Sequence, residues 1–230
     1  MISGNAQPLL IFPCNGNGVE ALDCLGDRYS FAGFIDDTSE KQGTDPHGNR
    51  VMSRAAMRDL PQAKILAVPG GPMSYRSRAK IIDSLSVSVD RYATVIHPTA
   101  RVSPLAVIGY NVLIMAGAVV TSNAVIGNHV CILPNTVLHH DVIIGAWSML
   151  GSNVTIAGST IVGDNCYIGS GSSVMNGLHV GNGALVGLGS NVIDSVLSGE
   201  TVAGNPARPI KPRRLHRPGE AVPGQLQQSR

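Results

Sequence analysis

The stretch VIGNHVCILPNTVLHHDVIIGAWSMLGSNVTI, residues 125–156, decides the fold. Every sixth residue in it is aliphatic: Ile126, Ile132, Leu138, Ile144, Leu150 and Ile156. The same phase extends back through Val120, Ile114, Ile108 and Val102 to Ile96, and forward through Val162, Ile168, Val174, Val180 and Val186 to Val192, without a slip. A period of six is neither helical nor the plain alternation of a strand. It fits short strands joined by corners, each strand turning one aliphatic side chain into a coil. Gly follows the aliphatic residue at Gly109, Gly127, Gly145, Gly151, Gly163, Gly169, Gly181 and Gly187, which we read as bends that a Cβ would penalise. Two residues before it the chain is small or β-branched, as at Ala106, Ala118, Val130, Thr136, Ser148 and Ser172. If three hexapeptides close one triangular coil, residues 96–197 stack about five to six coils, each covering the open edge of its neighbour.

Composition agrees. With 27 Gly, 14 Pro and 4% aromatic residues, the core is made of small aliphatic side chains, as suits a thin, turn-rich β structure. A net charge of +2 argues against nucleic acid or an anionic membrane as partner, although Arg208, Lys211, Arg213, Arg214 and Arg217 gather late in the chain. Ser3, Gly4, Asn5 and Gln7 after Met1 do not form a signal segment, and no apolar run is long enough to span a bilayer, so a cytoplasmic protein is expected. Cys14, Cys24, Cys131 and Cys166 have no metal-ligand spacing and read as reduced structural thiols.

Ahead of the repeat, Pro8–Phe12, Phe31–Ile35 and Ala63–Val68 read as buried strands. Helical stretches are expected around Val19–Leu25 and Arg76–Leu85, giving a small Rossmann-like parallel-sheet domain. A Gly-rich first turn, with Asp36 and Asp37 ending the next strand, is a nucleotide-binding arrangement in which backbone approaches phosphate and carboxylates accept from base or ribose. The expected organisation is a Rossmann-like nucleotide-binding domain over 1–92, a parallel β-helix of hexapeptide repeats over 93–212 and a flexible tail over 213–230.

Particular segments carry a family likeness: IFPCNGNGVEALD, GFIDD, the Gly70-Gly71-Pro72 loop with Arg78 entering a helix, IHPTA, LHHDVIIG and AGNPARPI. Together they resemble the hexapeptide-repeat sugar acetyltransferases, which include sialic acid O-acetyltransferase-like proteins and N-acetyltransferases of nucleotide-linked amino sugars. The resemblance implies left-handed coils, a cytoplasmic homotrimer with sites between neighbouring helices, acetyl-CoA as co-substrate, a nucleotide-linked amino sugar as acceptor, and no metal. It also implies substrate contacts at Gly16, Asn17, Asp36, Asp37 and Gly70, and His140 as the base, with Asp141 behind it. His139 is assigned to the substrate. For the carrier it implicates Gly158 at the acyl carbonyl, Ser170 and Leu188 along the slot, and Arg208 at a phosphate. Met149 stands where several relatives place a second His, which points either to a more apolar acyl slot or to a carrier held chiefly by backbone. Pro13 and Asn15 replace the Gly usual in the first turn, and Asn17 a common His, which leaves the identity of the nucleotide open.

Acyl transfer needs a base that titrates near neutrality, which favours His. Two other readings remain. A zinc site on the coils would need three converging imidazoles, and no His stands at 134, 135, 144 or 145 to pair with His129 or His139. A nucleotide-sugar-binding protein without turnover would explain Met149 and the altered first turn, but not the His140-Asp141 pair.

Overall fold

The computed structural model describes residues 6–210; the tail expected over 213–230, and the basic residues Lys211, Arg213, Arg214 and Arg217, lie outside the described residues. The front part is a five-stranded sheet of β1 (Gln7–Phe12), β2 (Tyr29–Ile35), β3 (Gly43–Thr44), β4 (Arg50–Met52) and β5 (Lys64–Ala67), in the order β3-β4-β2-β1-β5. All pairings are parallel except β3 with β4. The apolar runs of the central strand β1 and of the edge strand β5 are both buried. The helices are shorter than the sequence pattern suggests: α1 covers Gly16–Glu20, α2 Ala56–Asp59 and α3 Arg78–Asp83, with 3-10 turns at Ala21–Cys24 and Tyr75–Ser77. β3, β4 and α2 were not legible in the sequence, because each spans only two to four residues.

From Val95 the chain winds as a left-handed parallel β-helix. Its first face begins with Val95–Ile96 and runs through Cys131–Ile132 and Met149–Leu150 to the antiparallel pair Thr201–Gly204 and Ala207–Pro209. The second runs from Arg101–Val102 through Val137–Leu138 to Asn191–Val192, and the third from Val107–Ile108 through Ile143–Ile144 to His179–Val180. The aliphatic positions fill the centre: from Ile114 to Val192 each is at most 2% exposed, whereas Ile96, in the first coil, is 39% exposed. Hydroxyls two residues earlier are buried without loss, because Thr136 and Ser148 donate to Gly151 O at 2.6 Å and Gly163 O at 2.8 Å.

The role assigned to the repeat glycines changes. Gly109, Gly127, Gly145 and Gly163 are not in the left-handed region. A Cβ on Gly145 would lie 2.4 Å from Gly163 C, so these glycines are selected by the close approach of the next coil. The left-handed residue stands two positions later, as at Asn123 (φ 60°), His129 (φ 61°), Asp141 (φ 60°) and Trp147 (φ 58°).

The front sheet packs on the first face of the coils. Leu113, Cys131, Met149, Tyr167 and Leu185, outward residues of successive strands, join Leu9, Ile11, Phe34 and Leu66 in one cluster. Polar groups close the seam. Asn111 Oδ1 accepts from Ala67 N at 2.7 Å and Asn111 Nδ2 donates to Ala67 O at 2.9 Å, so a side chain completes the edge of β5. Arg78, fully buried, donates to the carbonyls of Pro69, His129 (2.6 Å) and Trp147 (2.9 Å). Burial lowers its pKa to about 10, which leaves the guanidinium charged at neutral pH.

Candidate active site

His140 and Asp141 form the corner that joins the second face to the third. Adjacent side chains on a straight strand diverge, but the left-handed conformation at Asp141 (φ 60°) folds its carboxylate back to the imidazole. His140 Nδ1–H donates to Asp141 Oδ2 at 2.7 Å. The other oxygen, Oδ1, accepts from Asn123 Nδ2 at 3.0 Å, one coil earlier. These two hydrogen bonds, that from Asn123 first, hold the Asp141 carboxyl below its usual range. A carboxylate on Nδ1–H fixes the tautomer in which Nε2 carries the lone pair, the form a general base needs.

The next coil makes room for the ring. A Cβ on Gly158 would sit 2.6 Å from both Cε1 and Nε2 of His140. The Gly158 N–H has no hydrogen-bond acceptor among the described residues, as is also so for His140 N one coil earlier, while at the corner between the third and first faces the N–H of Ala146 and Asp164 bond to Asp164 Oδ1 (2.7 Å) and Asn182 Oδ1 (2.9 Å). An open N–H beside an open imidazole nitrogen is an arrangement for a reacting carbonyl and a nucleophile. His139, on the same corner, is exposed.

The remaining carrier residues fall at other places. Ser170 Oγ accepts from Ser152 N at 3.0 Å. Leu188, 72% exposed, borders a cleft of about 460 Å³ with Met73, Tyr75, Arg76, Tyr167 and Ile210. Arg208 pairs with Asp194 at 3.0 Å on the surface. Met149 departs from its expected place. It is 2% exposed and packed against Gly70 between the sheet and the coils, so its side chain does not line a slot in this chain. The reason is geometric: coils repeat every 18 residues, so a step of nine from His140 crosses half a coil to another face.

At the carboxyl edge of the front sheet, Asn15 takes up its unusual place as the cap of α1, its side chain accepting from Gly18 N at 2.8 Å. Gly16 is exposed, and Asn17 Nδ2 donates to Gly70 O at 3.3 Å, tying the first turn to the loop after β5. The acidic pair is not a pair of open acceptors. Asp36, 3% exposed, accepts from Cys14 N at 3.1 Å, Thr38 N at 2.9 Å and Lys41 Nζ at 3.2 Å. Burial alone would raise its pKa, but the Thr38 and Lys41 contacts outweigh it and hold the carboxyl below its ordinary value. Asp37 is held by Arg54 through two bonds of 2.7 Å. Asn123 and Lys41 were missed at the sequence level, although the 18-residue step from Asn123 to Asp141 was there to be read, and Asn15 was singled out without its capping role.

Among the described residues no three His, Cys, Asp or Glu side chains are grouped to hold a metal ion, and no helix is long and apolar enough to cross a membrane. The four cysteines are free thiols, three of them buried.

The coils match the family models of the bacterial transferase hexapeptide (six repeats) over residues 105–139 and 123–158, and of the hexapeptide repeat of succinyl-transferase over 159–193. No curated protein matches the sequence. Among solved structures, perosamine N-acetyltransferase of Caulobacter crescentus, bound to CoA and GDP-perosamine, aligns with a TM-score of 0.79 at 23% identity over 90% of this chain and 98% of that one. The acetyltransferase domain of PglB from Neisseria gonorrhoeae aligns with a TM-score of 0.77 at 27% identity, over 89% of this chain and all of the other. WeeI of Acinetobacter baumannii gives 0.77 at 24%, over 90% of this chain and 100% of that one. The repeat matches show hexapeptide repeats of the bacterial transferase type over residues 105–193, and the alignments show that front sheet and coils together share the fold of these acetyltransferases.

Proposed function

We propose that the protein transfers the acetyl group of acetyl-CoA to the 4-amino group of a nucleotide-linked amino-deoxysugar, as a step in building a bacterial surface polysaccharide. The observation that carries the reading is the His140 imidazole, held by Asp141 at 2.7 Å with Nε2 turned over Gly158. Nε2 takes a proton from the amine as its nitrogen attacks the thioester carbonyl. The Gly158 N–H receives the developing oxyanion. Collapse of the tetrahedral intermediate expels the thiolate, and His140 returns the proton to it. Asp141 keeps the imidazolium stable between the two transfers, as a triad carboxylate does. His139 beside it contacts the sugar.

The cleft with Leu188 supports binding of the acyl carrier: its walls are Tyr75, Tyr167 and Leu185, with Arg76 as a cation at the edge. Ser170 sits on the coil before Leu188, and Arg208 would meet a carrier phosphate by exchanging its surface partner Asp194. The nucleotide is assigned to Gly16, Asn17 and Gly70, where two loops meet, with Asp36 shaping the turn and Asp37 at its rim. We further assign a homotrimer built through the third face. Its outward residues Val107, Val125, Ile143 and Ile161 form an exposed aliphatic ladder, 62%, 39%, 42% and 42% exposed. The His140 corner runs directly into that face, so a second copy would wall the site.

The test is thiol release from acetyl-CoA with a panel of UDP-, dTDP- and GDP-linked 4-amino-4,6-dideoxysugars and free sialic acid, comparing wild type with His140→Ala. Turnover with one amino sugar, lost by about 10²-fold or more in the variant, is expected. Turnover with sialic acid alone would move the acceptor to a hydroxyl, and an active variant would remove His140 from its role.

A further inference from the structure

A second cleft, of about 470 Å³, lies at the opposite edge of the front sheet from Gly16, Asp36 and Gly70. Tyr29 opens β2 and Lys64 opens β5 there, and Tyr92, just ahead of the coils, closes the cleft together with Tyr110 and Asn128 of the first coils. None of its lining residues is acidic. The Arg28 guanidinium lies over the Tyr29 ring, 5.3 Å from its centroid, and makes no ion pair or hydrogen bond among the described residues. Lys64 Nζ is anchored on Asp90 O, which leaves two of its three N–H groups open. Asn128 Oδ1 is taken by Tyr110 N at 3.1 Å, so the amide presents its NH₂ end. Every side chain here that is free to bond is therefore a donor, and two are cations. Tyr92 and Tyr110, stacked at 5.8 Å and 22°, add a flat aromatic wall.

We propose that this cleft binds a small phosphorylated molecule with a planar ring, the phosphate on Arg28 and Lys64 and the ring against the tyrosines. An unpaired guanidinium fork suits a phosphate bidentately, and the volume falls within the usual range of about 300–1,000 Å³ for small-molecule sites. The site is separate from the proposed chemistry, so it acts as an effector site at the seam. Tyr110 meets His129 edge-on at 4.9 Å, and His129 stacks on Trp147 at 5.8 Å, which links the cleft to the chain's single Trp.

The probe is phenyl phosphate, with inorganic phosphate and benzoate as controls, titrated calorimetrically and by Trp147 fluorescence into the full chain, Arg28→Gln/Lys64→Gln and Asn17→Ala. Phenyl phosphate is expected to bind about tenfold or more tighter than either control, to lose about tenfold or more in the double variant, and to be unaffected in Asn17→Ala. Both variants should keep the far-UV circular dichroism of the wild type. Equal binding by the double variant, loss in Asn17→Ala, or no binding by the wild type at about ten millimolar would each overturn the proposal.

Discussion

Gly158→Ala separates the placement of the base from the stability of the coil. Gly158 lies outside the left-handed region, so alanine meets no backbone penalty. The two atoms its methyl would crowd most, at 2.6 Å, belong to the imidazole of His140, an exposed side chain free to swing away. Ordinary contact is about 3.5 Å, so the ring must shift by about 1 Å. A displacement of that size at a reacting centre costs about 10²-fold in rate. The folded chain should lose nothing, and removing a glycine's unfolded-state freedom adds about 0.4–1 kcal/mol. The expected result is a fall in kcat/KM of about 10²-fold by thiol release, with an unchanged or raised urea midpoint. In His140→Ala the same substitution should have little further effect, since the group it displaces is gone. Retention of kcat/KM within about threefold in Gly158→Ala would refute the placement of Nε2 over Gly158 as the working geometry.

Asp141→Asn should keep the fold and lower kcat by about 10–10²-fold, because the amide no longer fixes the tautomer with Nε2 free; kcat against pH for variant and wild type checks it. Arg78→Met strips donors from the buried carbonyls of Pro69, His129 and Trp147 and should cost about 3–5 kcal/mol, read from the urea midpoint. His129 is held neutral in the fold, its pKa lowered from 6.5 to about 4 by burial and then by Arg78. The unfolded chain takes up a proton that the folded one refuses, so stability is full above pH 6.5 and falls as pH drops from 6.5 towards 4. The total is about 3 kcal/mol, and His129→Gln should flatten that window in unfolding at a series of pH values. Ile143→Lys places a charge on the ladder of the third face and should convert the assembly to monomer in sedimentation velocity, with catalysis lost alongside; an unchanged sedimentation coefficient would remove that face as the contact.

The repeat was legible because one inward position in six must be aliphatic whatever the other five do. What the pattern obscured was the corner. Gly after the aliphatic residue reads as a bend, yet on the third face every such residue, Gly109, Gly127, Gly145, Gly163 and Gly181, is glycine for lack of room beneath the next coil. The bend's own signal lay two residues on, in Asn123, Asn135, Asn153 and Asn165, all with positive φ, where Asn is tolerated best after Gly. The His140-Asp141 pairing was expected from the family resemblance, but not why neighbours in sequence should meet. Asp36 and Asp37 were legible as an acidic strand end and misleading as open acceptors, because their partners Lys41 and Arg54 stand 5 and 17 residues away in a region without a pattern.

The left-handed step that brings Asp141 onto His140 recurs at another corner, where it builds the seam between sheet and coils. His129 and Trp147 occupy the same left-handed step, with φ of 61° and 58°, where bulky residues are strained. Each turns its carbonyl to Arg78, their rings stack on each other at 5.8 Å, and Tyr92 and Tyr110 meet the His129 ring edge-on. The strain persists because the seam over-determines it: His129 Nδ1 accepts from Asn111 at 2.8 Å, and Asn111 closes the edge of β5. Large aromatic residues in a column otherwise given to Asn and Gly therefore mark where another element docks on a β-helix. At the same step of the corner between the second and third faces, Asp141 stands preceded by His140, the pair proposed for the chemistry. The two uses share one backbone device at different corners, so relaxing the corner between the third and first faces by Trp147→Gly should free the seam while leaving His140, on the corner between the second and third faces, in place. A loss of stability with kcat retained is the expected split. A parallel loss of kcat would mean that the sheet's attachment, and not the corner alone, holds the reacting groups.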